Sequence, residues 1–245
     1  MNQPIRSVIL VLALFAGLAA RAEEVQGLVL PFMQVSLSSP LQDIIREIPV
    51  KEGDDVKEGQ VVAQMANEKE AIEMQQYEKM VEKKQFDAKG ADALFQEKMG
   101  SKENMLQKQT DLQLAKLQHE LARVKFEEKS VRAPMSGTVV KKYKESGESI
   151  DRVEKLLDIV NIDKVYIQFY VDPKLVFQVR IDQQIPVRFP ILGNARTFNG
   201  TVSFVDPRID AGSGLCRIKL LLENADHLIR PGMRGDADFS AIKGS

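Results

Sequence analysis

The sequence predicts an α+β protein, mainly β, in which a β-sandwich is interrupted by an antiparallel coiled-coil α-hairpin and followed by a small β-barrel. Three observations predict it. Two segments starting at Pro40 and Pro134 repeat each other without a gap, a proline-free run of strong helix formers separates them, and short β-rich runs divided by turn residues follow Asn161.

Residues 1–22 read as a signal peptide, with a basic start at Arg6, an apolar run from Val8 to Ala20, and Ala20-Arg21-Ala22 ahead of two glutamates. The run is about 13 residues, short of the ~20 that cross a bilayer as a helix, so cleavage after Ala22 is expected, with an uncleaved anchor as the alternative. Residues 23–66 hold an N-terminal strand, "EVQGLVLPFMQVSL", and the first half of the sandwich; residues 130–161 hold the second half.

In the repeat, Ile44-Ile45 meets Thr138-Val139, Gly53 meets Gly147, Val56 meets Ile150, Val62 meets Leu156 and Met65 meets Ile159. The agreement falls on positions that fix turns and strand cores. "VKEGDDV" and "KESGESI" each place a glycine where a tight turn wants positive φ, then return an apolar residue to the core. Neither half, at about 26 residues, buries a two-faced sheet alone, so the halves must pair with each other.

Residues 67–129 are rich in Glu, Lys, Gln, Ala and Met and are broken at Gly100-Ser101, which predicts two helices joined by a tight turn. Ser101 is placed to cap the second helix, with Glu103 in its first turn where the helix dipole favours an acid. Leu114, Leu117, Leu121 and Val124 recur at coiled-coil spacing and are expected to form the seam between the arms. In the first arm Met74, Tyr77, Val81, Ala88, Ala91 and Phe95 keep a similar register, interrupted by Lys84. A thinner stripe, Leu112, Ala115, His119, Ala122 and Phe126, reads as widening of the buried face, with contact to a neighbouring copy's hairpin as the alternative. Arms of about 30 residues would reach roughly 45 Å at 1.5 Å per residue.

Residues 162–242 contain "VYIQFYVD", "QIPVRF", "RTFNGTVSFVD", "LCRIKLLLEN" and "MRGDADF", separated by turn residues, as expected of a small barrel. Formal charge is −1, from 34 basic and 35 acidic residues, so no electrostatic surplus favours nucleic acid as a partner. Cys216 is the sole cysteine and the two histidines, His119 and His227, lie in unrelated segments, so neither a disulfide nor a thiol catalyst is expected. The carboxylate pairs Asp54-Asp55 and Glu127-Glu128 fall in a turn and on a charged helix face. No cofactor and no catalytic set is expected; function should reside in surfaces.

Nearly the whole chain resembles the periplasmic adaptor subunits, or membrane fusion proteins, of bacterial tripartite efflux and secretion systems. The resemblance rests on "VKEGDDVKEGQVVAQM", the charged hairpin, "VRAPMSGTVV" and a β-rich tail with "NADHLIRPGMRGDADF", in that order. It implies that the sandwich is a split lipoyl-like domain with the hairpin where a carrier lysine would sit. Lys69, the nearest imitation, lies at a helix start. It further implies a ring, commonly of six copies, that joins an inner-membrane transporter to an outer-membrane channel from the periplasm. The transporter would be a proton-driven efflux type or, second, an ABC exporter. The family's hairpin tip carries a docking pattern matched here by Leu94, Ser101 and Met105, whereas Gly90 and Ala91 stand where an arginine and its apolar neighbour belong. The membrane-proximal domain of many members is expected to be missing, or reduced to the N-terminal strand.

Overall fold

The computed structural model describes residues 24–193 and 196–239, so the expected signal peptide lies outside the described residues. In chain order the elements are β1 (Glu24–Ser38), β2 (Asp43–Glu47), β3 (Asp55–Val56), β4 (Val61–Met65), α1 (Glu68–Gln96), α2 (Lys102–Glu127), β5 (Ser130–Arg132) and β6 (Gly137–Lys142). They continue with β7 (Ser149–Ile150), β8 (Lys155–Val171), α3 (Pro173–Val176), β9 (Gln184–Arg188), β10 (Thr197–Ile209), β11 (Cys216–Glu223) and β12 (Arg234–Asp238). Two units form: one is Met33–Asn161, and the other joins residues 24–32 to the chain after Asn161.

In the first unit the two halves of the repeat hydrogen-bond to each other with the same pattern twice. The Gly53 amide donates to Val139 O at 2.8 Å, and the Gly147 amide donates to Ile45 O at 2.7 Å. Val139 N donates to Asp54 O at 2.9 Å, matched by Ile45 N to Glu148 O at 2.8 Å. Both glycines take the left-handed conformation the turn demands, at φ 95 and 92. Strands β5, β4, β2 and β7 form one sheet, while β3 pairs with β6 and β6 with the start of β8. The matched residues Ile45, Val56, Val62 and Met65, and Val139, Ile150, Leu156 and Ile159, are all 0–3% exposed. Pairing is therefore how each short half obtains a core.

The hairpin belongs to this unit. Its arms do not meet along the expected seam. Leu114, Leu117, Leu121 and Val124 point outward, at 56, 66, 58 and 39% exposure, and the buried residues of the arms are Ala88, Ala91, Ala115 and Ala122. The inward face of α2 is the thinner stripe, with Leu112, His119 and Phe126 half-buried beside the alanines. At 3.6 residues per turn the leucine stripe lies roughly half a turn away, on the far side of α2. Alanine at the crossing points lets the backbones approach closely, and long residues on the same face fill the gaps. One of these is Lys84, which interrupts the first arm's register and bonds Asp111 across the hairpin at 3.3 Å. That first-arm register otherwise lies inward, except that Phe95 is exposed at the tip.

In the second unit the strands run β1-β12-β9-β10-β11-β8, and β1 also pairs with β8, which closes the barrel. The start of β1 is thus a barrel strand: Glu24 to Leu28 lie antiparallel to Asp238 to Arg234 of β12. The sequence grouped residues 23–66 with the sandwich, whereas residues 24–32 lie in the barrel unit, because β1 finds its partner strand there. Gly27 is required there, since a Cβ would sit 2.7 Å from the Phe169 ring. Phe169, Phe189 and Phe239 fill the interior at 0% exposure, and Phe169 meets Phe239 edge to face. The "NADHLIRPGM" segment is fixed by buried Asn224, whose amide donates to Ile162 O and Ile229 O at 2.8 Å and accepts from Ile229 N at 2.9 Å.

Candidate docking surfaces on the helical hairpin

The tip is built by two complementary helix ends. At the end of α1 the Leu94 carbonyl accepts from the Met99 and Gly100 amides at 2.8 and 3.0 Å, with Lys98 at φ 61, which is the wrapped C-terminal turn that lets a chain reverse at once. A side chain at Gly100 would press within 3.2 Å of Leu94 Cβ, so glycine permits the return. Ser101 then starts α2 in an extended conformation, and its hydroxyl accepts from Asn104 N at 3.1 Å. The expected N-cap is therefore present.

Of the three docking residues read from the sequence, Leu94 is 47% exposed, Ser101 is exposed, and Met105 is half-buried one turn into α2. Leu94 and Ser101 flank the same turn. Ala91 is 7% exposed because it lies between the arms, so it offers nothing to a partner, whereas Gly90 is exposed. Sequence reasoning missed Met99, Phe95 and Leu106, which add exposed apolar surface at 76, 37 and 47%. The available signal was an apolar residue on each side of the Gly-Ser break.

Charges along the rod are arranged as local pairs. Arg123 bonds Glu120 and Glu127 on its own helix, which holds the Glu120 carboxyl below its ordinary range. Hydrogen bonds from Lys84 and Gln107 lower Asp111 against a small effect of burial. At the base of the rod Lys129 Nζ lies 2.5 Å from Asp43 of β2 and 3.0 Å from Glu70 of α1. The three side chains are only 14, 18 and 21% exposed, so this cluster ties both helix roots to the sandwich. Burial pushes the Asp43 carboxyl up, but the hydrogen bonds from Lys129 and the Ile44 amide outweigh it and leave it lowered.

In the barrel unit, Asp206 accepts from Arg208 and Arg217 beside a cavity of about 300 Å³ lined also by Tyr170, Ile209 and Leu215. The Arg208 hydrogen bonds bring its carboxyl down to about 2, so it stays charged and fixes both guanidiniums. Among the described residues no group of His, Cys, Asp and Glu is placed to hold a metal, and Cys216 is buried. No described helix is long and apolar enough to cross a membrane.

A cross-paired sandwich with a helical rod inserted between its halves, followed by a small barrel, defines a membrane fusion protein, the adaptor class of efflux systems. Residues 33–161 match the CzcB-like barrel-sandwich hybrid domain, and residues 164–243 match the CusB-like beta-barrel domain. The chain belongs to this family. The nodulation protein NolF of Rhizobium meliloti (strain 1021) is 26% identical over 234 residues, covering 87% of this chain and 62% of that protein. The cation efflux system protein CzcB of Alcaligenes sp. (strain CT14) is 23% identical over 210 residues, covering 79% and 40%. The chain thus spans less than two thirds of the length of either relative. Among solved structures, a MacA-MexA chimera carrying the Pseudomonas aeruginosa MexA α-hairpin superposes with a TM-score of 0.75 at 17% identity, covering 89% of this chain and 80% of that one. A putative efflux transporter from Bacteroides eggerthii superposes at 0.69 and 18% identity, covering 91% and 71%. At these identities the likeness speaks to the fold.

Proposed function

We propose that this chain is a periplasmic adaptor that joins an inner-membrane transporter to an outer-membrane channel in efflux or secretion, working as a homo-oligomeric ring of six copies. The observation that carries the reading is the capped, two-arm rod rooted in the sandwich by Lys129, Asp43 and Glu70, with apolar Leu94 and Met99 presented at its far end. A rod of this kind suits reach between two membranes, and family membership supports efflux as the setting. A proton-driven efflux transporter is the first candidate for the inner partner and an ABC exporter the second. Leu94, Ser101 and Met105 would make the channel contact, and the first 22 residues would direct export and be removed.

The competing reading is a periplasmic scaffold that self-associates without a channel. It draws on Gly90 and on buried Ala91, which leave the tip without the arginine and neighbouring apolar group of the family's docking pattern. Crosslinking in intact envelopes, followed by identification of captured membrane proteins, separates the two. Capture of a transporter and a channel supports the adaptor; capture of neither, with self-crosslinks retained, supports the scaffold.

A further inference from the structure

The cavity beside Asp206 arises from an irregularity in the barrel. Between Val205, opposite Ile218, and Ile209, opposite Cys216, four steps along β10 face only two along β11. A surplus of this kind bends a strand and re-aims its side chains. Here it brings Asp206 and Arg208 to the cavity, which Arg217 of β11 and its cross-strand neighbour Tyr170 of β8 also line. Beyond the bulge, Gly214 at φ 72 turns the chain back, and Asp210 closes that turn by accepting from Ser213 N and Oγ, both at 2.8 Å.

The polar groups around the cavity are out of balance. Asp206, 8% exposed, accepts from Arg208 N, Nε and Nη2 and from Arg217 Nη2, at 2.8–3.2 Å. An ionised carboxylate has about four acceptor sites, so Asp206 is full. Each guanidinium carries about five N–H donors, and most of them are left over. Among the described residues neither Nη1 has a partner, and Arg217 Nε is buried without one. The other acid on the lining, Asp210, bonds its own turn and neither arginine. Tyr170 adds a hydroxyl that accepts from Gln168 Nε2 at 3.0 Å and keeps its own proton to donate. Next to these unspent donors lie Leu215 and Ile209, the latter 55% exposed.

We propose that this cavity binds a small organic acid, a single carboxylate on a short apolar body. The carboxylate accepts from Arg208 and Arg217, which Asp206 holds in position, and from the Tyr170 hydroxyl, while the apolar body covers Ile209 and Leu215. Charge-assisted hydrogen bonds are the strong ones, and the planar guanidinium matches a planar carboxylate. At about 300 Å³ the cavity stands at the low end of ligand pockets, ~300–1,000 Å³, a size that suits a small monoacid. Inorganic phosphate would satisfy the same arginines but leave the aliphatic wall in water, and this favours the organic acid. The inference concerns the barrel alone and goes beyond the adaptor reading; it stands whether or not the hairpin captures a channel.

The test is calorimetric titration of the full chain with octanoate, with octanol, octylamine and inorganic phosphate run alongside. Octanoate should bind saturably at a single site per chain and more tightly than phosphate, and neither octanol nor octylamine should saturate. Arg208→Gln removes a side chain that is 79% exposed, so the fold should survive, and octanoate affinity should fall at least about tenfold with the charge-assisted bond. Ile209→Asp, also at an exposed position, should abolish binding by setting a carboxylate against the ligand's apolar body. Lys174→Gln, in the same barrel unit but outside the cavity, should leave affinity unchanged, and thermal unfolding checks that all three variants are folded. Absence of saturable octanoate binding overturns the proposal, as does full affinity in folded Arg208→Gln and Ile209→Asp. Octanol binding as tightly as octanoate would reduce the cavity to an apolar patch, and phosphate binding as tightly would reduce it to a general anion site; either result overturns the organic-acid assignment.

Discussion

Gly59 and Val153 hold the same place in the two halves of the sandwich, at φ 79 and 68. The Gly59 amide donates to Ala133 O at 2.8 Å and the Val153 amide donates to Ser39 O at 2.9 Å, so the turn is built identically with and without a side chain.

Val153→Gly should therefore stabilise the unit. Left-handed backbone costs an L-residue about 1–2 kcal/mol, and most for a β-branched one, while the added freedom of glycine in the unfolded chain returns about 0.4–1. Val153 is 75% exposed and gives up little packing. The net expectation is about 0.5–1 kcal/mol of added stability in urea unfolding; a lower midpoint for Val153→Gly would contradict this account of the turn.

The inward and outward faces of α2 should respond oppositely to a charge. Ala115→Asp, at 2% exposure, puts a carboxylate between the arms and should cost several kcal/mol or splay the hairpin. Leu117→Asp, at 66% exposure, should change the stability of the isolated chain by no more than about 1 kcal/mol. Thermal unfolding followed at a helix wavelength, at high dilution, compares them directly. Equal losses would return Leu117 to the hairpin interior.

Acid should weaken the root of the rod. Asp43 is lowered in the folded protein, so its contribution is complete above the unfolded value of about 3.9 and is lost as pH falls through the folded value. Lys129 is raised: burial opposes this, but the bonds to Asp43 and Glu70 prevail, so its contribution holds at neutral pH and fades only as strong alkali titrates it. Asp43→Asn should flatten the stability profile below about pH 4. Lys129→Met, which strands two half-buried carboxylates, should cost about 1–3 kcal/mol at pH 7, below the ~3–5 of a fully buried pair. A Lys129→Met protein with wild-type stability at neutral pH would show the cluster to be solvated.

Ser101 combines a cap that the structure contains with a docking role that we propose. Loss of the cap in Ser101→Arg should cost about 0.5–2 kcal/mol locally, while Ser101→Asp preserves it. If the tip docks a channel, both variants should lose channel capture with the hairpin still folded, Arg by bulk and Asp by charge. Unimpaired capture by both would remove Leu94, Ser101 and Met105 from the contact.

The sequence by itself determined the elements and the internal symmetry. Glycine at 53 and 147 and the matched apolar residues at 45 and 139, 56 and 150, 62 and 156 are local constraints on turns and strand faces, and they are legible because a turn's φ and a strand's period of two depend on neighbours in the chain. The Ser101 cap and the Gly100 break were legible for the same reason. Which stripe of α2 faces inward was decided only by tertiary structure. Both stripes share coiled-coil spacing, and the larger one looks like the seam from amphipathicity alone; yet close approach of the arms is set by what stands opposite, where Ala88 and Ala91 favour small partners and Lys84 needs Asp111. The place of the N-terminal strand was likewise beyond reach, because β1 pairs with β12 from the other end of the chain, and no local pattern encodes a partner so distant.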